Sequence, residues 1–273
     1  MPVEPQLRTL DIDIPSKPDA LVKLSLLMTE DEVNLPAIAA LIESDMALAA
    51  AVMKAVNSSL YGLQGRVQSV QQAVTYIGTR EVAGITFEVG LRAAFPPADE
   101  LEPIWRRATQ RGLLMGRLGQ ALGLDAWAAH SAGLFEECGK AVLFRHAPDH
   151  YRSMLRAVGN DSDLCLLEHR GFGVSHDALG AALCESWGLA AVAVASVRHH
   201  VTALASHVMP VPMSRRSVLA MSVLANTLVT APDSVDDVAN AIADDADMDS
   251  TLVLRALRRI EEQLGAAEAH GRA

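Results

Sequence analysis

Between residues 41 and 78 the apolar positions recur at helical spacing and are cut by polar residues that favour caps and turns. Asp45 stands directly before the series Leu48, Val52, Val56, where an N-cap belongs. That series runs into Asn57-Ser58-Ser59, and Tyr61-Gly62 opens a polar loop. The loop ends at Ser69, the expected cap of a helix carrying Val70, Ala73, Val74 and Ile77. The pattern predicts helix, turn, helix, polar loop, helix.

The same kind of spacing organises the rest of the chain. Residues 1–19, with Pro2, Pro5, Pro15 and Pro18, read as an extended, mobile arm. Residues 20–95 read as a helical N-terminal lobe, closed by the paired prolines of Phe95-Pro96-Pro97-Ala98-Asp99. A second lobe covers 100–205, with helices expected over 104–122, 127–145, 175–187 and 190–200. Within it, Glu168-His169-Arg170-Gly171-Phe172-Gly173 is glycine-rich without a preceding strand and reads as a turn. A linker at 207–212 precedes C-terminal helices over 213–264. Residues 34–56 align without gaps on 234–256, pairing Ile42 with Ile242 and Asp45 with Asp245. Either two ordinary helix pairs share capping chemistry, or the C-terminal helices extend the packing of the N-terminal lobe.

Composition narrows the class. Half of the 273 residues are hydrophobic, ample for a core, and alanine is abundant while β-branched alternation is nearly absent. An all-α fold follows. The formal charge of −10 opposes sequence-independent nucleic-acid binding, and 4% aromatics leave no stacking platform for single strands. The first residues lack the apolar core of a secretory signal, and the small-apolar run at 188–197 is too short to span a bilayer. No nucleic-acid partner and no membrane insertion are expected. Cys138, Cys165 and Cys184 form no close pair and read as free thiols of a reducing cytoplasm.

The residues Ile42, Asp45, Leu48, Asn57, Ser58, Tyr61, Gly62, Val67, Ser69, Val70, Gln72, Ala73, Val74, Ile77 and Gly78 also fit a longer pattern. In order they read I-x-x-D-x-x-L, N-S-x-x-Y-G and V-x-S-V-x-Q-A-V-x-x-I-G. This resembles the signature of the HDOD domain, a bacterial signalling module related to the HD metal phosphohydrolases. The resemblance continues more weakly to about His200. It implies an N-terminal helical lobe packed on an HD-like helical lobe.

In the HD-like lobe, Gly133-Leu134-Phe135-Glu136-Glu137-Cys138-Gly139-Lys140 resembles the G-L-L-H-D-x-G-K segment of catalytic HD enzymes. The His and Asp of that segment bind divalent metal; here those positions hold Glu136 and Glu137. A further ligand position of the family, a His in a W-x-H pattern, corresponds to Arg107 of Trp105-Arg106-Arg107. An arginine has no lone pair to give and repels a cation. Two carboxylates facing an arginine make sense as a replacement in which the cation is covalent. The alternative is that Arg107 and one glutamate point into water. His176, in Ser175-His176-Asp177-Ala178-Leu179-Gly180-Ala181, and the pair His199-His200 match histidines that help hold metal in the HD-GYP relatives. Two of them meeting in space with Glu136 or Glu137 would be one use; satisfied structural histidines would be the other.

The resemblance therefore implies a non-catalytic signalling or adaptor protein, cytoplasmic, with no cofactor and no metal, acting on signalling proteins through a helical surface. Asn57, Ser58, Tyr61 and Gln72, polar and grouped around one loop, are the candidate interface; capping and plugging are their alternative roles. A second reading is a sensor for a nucleotide or cyclic dinucleotide, held in the former metal pocket with Arg107 facing phosphate. A metal-dependent phosphohydrolase with a Glu-rich site is a third.

Overall fold

The computed structural model describes residues 11–28, 34–58 and 65–271. Among them every regular element is helical, as the composition predicts, and no single helix is long and apolar enough to cross a membrane. The chain divides into two compact units. One takes Lys17–Ala94 with Arg258–Ala273, the other Met1–Ser16 with Phe95–Leu257.

In the first unit, α1 (Asp19–Met28), α2 (Leu35–Glu43), α3 (Met46–Val56), α4 (Val70–Ile77) and α5 (Thr79–Ala93) close around Leu21, Leu24, Ile38, Ile42, Val52, Val56, Ile85, Phe87 and Leu91. Helix α5 packs on each of the other four. Asp45 caps α3, its Oδ1 accepting from Ala47 N at 2.9 Å and Leu48 N at 3.1 Å. Ser69 caps α4 by accepting from Gln72 N at 3.1 Å, while Gln72 reaches back to accept from Gln68 N at 2.8 Å. Asn57 donates to Met53 O and Val67 O at 3.0 and 2.9 Å and accepts from Val67 N at 3.2 Å. It thus pins the end of α3 to the approach to α4.

The second unit holds α6 (Glu102–Ala121), α7 (Ala126–Phe135), α8 (Cys138–His146), α9 (Pro148–Ala157), α10 (Asp161–Phe172), α11 (His176–Ser186), α12 (Ala191–Ser206), α13 (Met213–Thr230), α14 (Val235–Ala243) and α15 (Ser250–Gly271) as far as Leu257. Small residues let its helices approach to backbone contact. A Cβ on Gly119 of α6 would lie 2.9 Å from Ala126 Cα, and one on Gly133 of α7 would lie 2.8 Å from the Arg111 carbonyl carbon. Likewise a Cβ on Gly139 of α8 would meet Gly180 N of α11 at 2.8 Å and collide with the His176 carbonyl. Helix α13 packs on α6, α7 and α12.

Three expectations change, and one open alternative narrows. The helix predicted over 127–145 is broken at Glu136–Glu137 into α7 and α8, which turns both carboxylates inward. The predicted turn at 168–173 is instead the last turn of α10, ended by Gly173 in the left-handed conformation (φ 74°). Of the two readings of the echo between 34–56 and 234–256, ordinary helix pairs fit residues 234–256, which group with the second unit, while the chain from Arg258 on groups with the first. The arm, where described, is irregular but docked: Pro15 is buried, its carbonyl accepts from Trp187 Nε1 at 2.8 Å, and Asp13 pairs with Arg145 at 2.6 Å.

Candidate functional site

The break between α7 and α8 places Glu136 and Glu137 in the interior of the second unit, 0% and 1% exposed. Unpaired carboxylates there would be very costly, so cations must meet them. Two come from α6, one turn apart. Arg107 clamps Glu137 with two parallel bonds, Nε to Oε1 at 2.8 Å and Nη2 to Oε2 at 2.5 Å. Arg111 donates to Glu136 Oε2 at 3.1 Å, lies 3.4 Å from Glu137 Oε1, and donates to Asn226 Oδ1 of α13 at 3.0 Å. The third, Lys140, stands one turn beyond Glu137 on α8 and bridges it, at 3.2 Å, to Asp161 Oδ1 at 2.7 Å.

The two neighbouring carboxyls respond in opposite directions. Burial pushes Glu137 up, but Lys140, Arg107 and Arg111 together outweigh it and hold the group well below the usual carboxylate range. For Glu136 burial wins over Arg111 and raises the carboxyl to about 7. The Ser222 hydroxyl draws it back down without offsetting burial.

Beside this network lies a second one, on α9 to α12. Glu168 of α10 is fully buried and accepts from Tyr151 OH at 2.5 Å. Its other oxygen accepts from the backbone N of His176 at 2.8 Å and faces Nδ1 of the same residue at 2.7 Å. Burial, and then the adjacent Glu168, keep the Tyr151 hydroxyl protonated far above its ordinary range. The His176 and His200 rings meet at 5.7 Å between centroids. His200 Nδ1 lies 2.7 Å from Val197 O, and burial lowers the ring's pKa to about 4. One oxygen of Asp161 and one nitrogen of each ring lie within 4.8 Å of one another. Asp177, the residue after His176, bonds Ser175 and, at 2.6 Å, Arg198.

The network brings Arg107 and Glu137 together, as the paired-charge reading expected, and brings His176 to His200. The histidines meet Asp161 and Glu168, however, rather than Glu136 or Glu137. His199 is half-buried and outside the pair of rings. At the interface loop, Asn57 and Gln72 are engaged by the loop's own backbone, and Tyr61 lies outside the described residues. Arg111, Lys140, Asp161 and Glu168 went unrecognised in the sequence. The spacing of Arg107 to Arg111 and Glu137 to Lys140, four and three residues, was the available signal. Glu168 was hidden by reading its segment as a turn.

Between α6, α8 and α10 the first network opens on a cleft of about 290 Å³, lined by Arg107, Arg111, Glu137, Lys140, Asn160 and Asp161 among others. Where a bridging metal would need bare carboxylate oxygens, those of Glu137 are taken by three covalent cations, so this donor set does not fit a metal. The histidine pair is a different donor set, with nitrogens to spare.

The profile of the HDOD domain matches residues 14–203, and the chain belongs to that family. It is 29% identical over 193 residues to an uncharacterised protein of Treponema pallidum (strain Nichols), covering 69% of this chain and 37% of that protein. The chain thus spans little more than a third of that relative. Among solved structures, a protein of Marinobacter aquaeolei VT8 provisionally named for signal transduction superposes with a TM-score of 0.72 at 23% identity, over 98% of this chain and 65% of its own. One from Shewanella amazonensis SB2B, provisionally named a phosphohydrolase, gives 0.70 at 18% identity, over 97% of each chain. At such identities the likeness is one of fold.

Proposed function

We propose that the protein is a non-catalytic signal-transduction adaptor that works by binding another protein. The observation behind this reading is the bidentate Arg107–Glu137 pair, backed by Lys140 and Arg111, at positions where catalytic HD enzymes hold metal. A guanidinium fork and an ammonium satisfy the carboxylate with fixed positive charge. They leave no bridging oxygen to position a hydroxide for attack on phosphorus. The test is hydrolysis of an aryl phosphodiester and of cyclic dinucleotides by protein supplied with Mn²⁺, Fe²⁺ or Mg²⁺. No turnover above background is expected. Turnover that disappears in Glu137→Ala would overturn the reading.

We assign the adaptor's contact surface to the segment around Ser58 and Tyr61, where the sequence sets an amphipathic tyrosine near small polar residues. Tyr61→Ala should abolish capture of the native partner with an unchanged melting temperature. A fall in stability with undiminished capture would move the interface elsewhere. The cleft supports a second reading, a sensor for an anionic nucleotide, since Arg107, Arg111 and Lys140 all line it. Differential melting against a nucleotide panel separates the two, because only the sensor should be stabilised.

A further inference from the structure

The sequence sets its three cysteines far apart, but the fold brings two of them together. Cys138 opens α8, and Cys184 lies near the end of α11. Both are free and fully buried. Their thiols stand within hydrogen-bond reach of one another. Burial, and then the contact with Cys138, push the Cys184 thiol well above its ordinary range, so it stays protonated.

Glycines explain the meeting. Helix α8 runs backbone to backbone against α11: a Cβ on Gly139 would lie 2.8 Å from Gly180 N, and one on Gly180 would lie 3.5 Å from Gly139 N. Cys138 is the neighbour of Gly139, and Cys184 stands one helical turn beyond Gly180 on the same side of α11. A disulfide asks for α-carbons within about 4.4–6.8 Å of each other. Helices held apart by ordinary side chains, with axes about 8–10 Å apart, seldom offer that. Two helices in glycine contact do. Cys165, half-buried, faces His176 and Asp177 instead.

We propose that Cys138 and Cys184 form a modification site for hydrogen peroxide, which converts them to an intramolecular disulfide joining α8 to α11. One sulfur attacks the O–O bond and takes OH, becoming a sulfenic acid, while the other oxygen leaves with the thiol's proton as water. The second thiol attacks that sulfur: the S–S bond forms, the S–OH bond breaks, and the hydroxyl leaves with the second thiol's proton as water. Two thiols lose two electrons in all, and the peroxide gains them.

Burial sets the rate and the selectivity. With Cys184 held protonated, reaction is slow. Hydrogen peroxide is little larger than water and can follow small openings of the interior, whereas oxidised glutathione needs an exposed thiol. Once one sulfur is oxidised its partner is already in contact, so the disulfide forms ahead of sulfinic acid. The bond would close a loop around α9 and α10 and stabilise the unit. The site stands apart from the adaptor reading, which neither its presence nor its absence alters.

The test uses the full chain, freed of reductant and treated with excess hydrogen peroxide in native buffer. Expected are the loss of two hydrogens in intact mass and a fall from three free thiols to one. A non-reduced digest should hold a peptide pair linked through Cys138 and Cys184, and dithiothreitol should reverse the change. The oxidised chain should melt at a higher temperature. Cys165→Ser should form the bond as wild type does. In Cys184→Ser the sulfenic acid of Cys138 has no thiol to resolve it and should be captured by dimedone. If that variant misfolds, the linkage map of the wild-type chain remains decisive. Three free thiols after peroxide, a bond through Cys165 or a bond between two chains would overturn the site. So would sulfinic acid at either cysteine without the disulfide. Ready glutathione adducts on Cys138 or Cys184 in the native chain would overturn the selectivity for peroxide.

Discussion

At the scale of the residue, Glu137 is the junction of the unit. It meets Arg107, Arg111 and Lys140, and only Arg107, with its side chain 46% exposed, shares that charge with solvent. Removing the carboxylate leaves Arg111 and Lys140 buried with fewer partners. Glu137→Gln should therefore destabilise the protein by about 3–5 kcal/mol in urea denaturation. Arg107→Ala removes the solvent-screened partner while two cations remain, and should cost only about 1 kcal/mol. Equal effects would mean that Glu137 is held chiefly by the exposed fork. The pairing of Arg107 with this segment was legible, because a motif resemblance set one basic and two acidic residues at matched positions. The buried partners Arg111 and Lys140 were not, because a charged residue on a helix gives no sign of which face it occupies until its neighbours are known.

At the scale of the element, glycines decide how far the helices can close. Gly139 lets α8 lie against the backbone of α11 at His176, and so places the first histidine of the pair. Gly139→Ala should cost at least about 3 kcal/mol, since backbone atoms cannot move aside as a flexible side chain would. Gly159→Ala, with nothing within 4 Å, should stay within about 0.5 kcal/mol in the same melts. In the N-terminal unit, Asn57→Ala strips three backbone partners at once and should cost about 1–3 kcal/mol, against about 1 kcal/mol for Asp45→Ala at its cap. Element types were legible almost throughout, because Asp45, Ser69, the prolines after Phe95 and the apolar spacing all speak locally. The break at Glu136–Glu137 was not, since both residues are good helix formers and the turn exists to satisfy partners on α6 and α8.

At the scale of the whole molecule, Glu136 links folding to pH. Its carboxyl titrates near 4.5 when unfolded and at about 7 when folded, so between those values the native state holds a proton that the unfolded chain has lost. The group's contribution is full below pH 4.5, declines by about 1.4 kcal/mol per pH unit, and is gone above pH 7. Glu136→Gln cannot titrate. Its stability relative to wild type should therefore rise by roughly 3 kcal/mol between pH 4.5 and 7, read as denaturation midpoints at fixed ionic strength. A constant difference across that range would mean that Glu136 is ionised in the folded protein. Glu137 acts in the opposite sense: its stabilisation is present above pH 4.5 and fades only as pH falls through its depressed folded value.

The strap formed by Asp13 and Pro15 has a bearing on synthesis. Its anchor, Trp187, lies 172 positions later in the chain. At about 5–20 residues per second, the strap would leave the ribosome roughly 10–30 s before its partner exists. Residues 17–94, by contrast, are complete in one stretch apart from the final helix. During that interval the indole's acceptor has no donor to hold it. The order of translation thus sets which part of the molecule must wait.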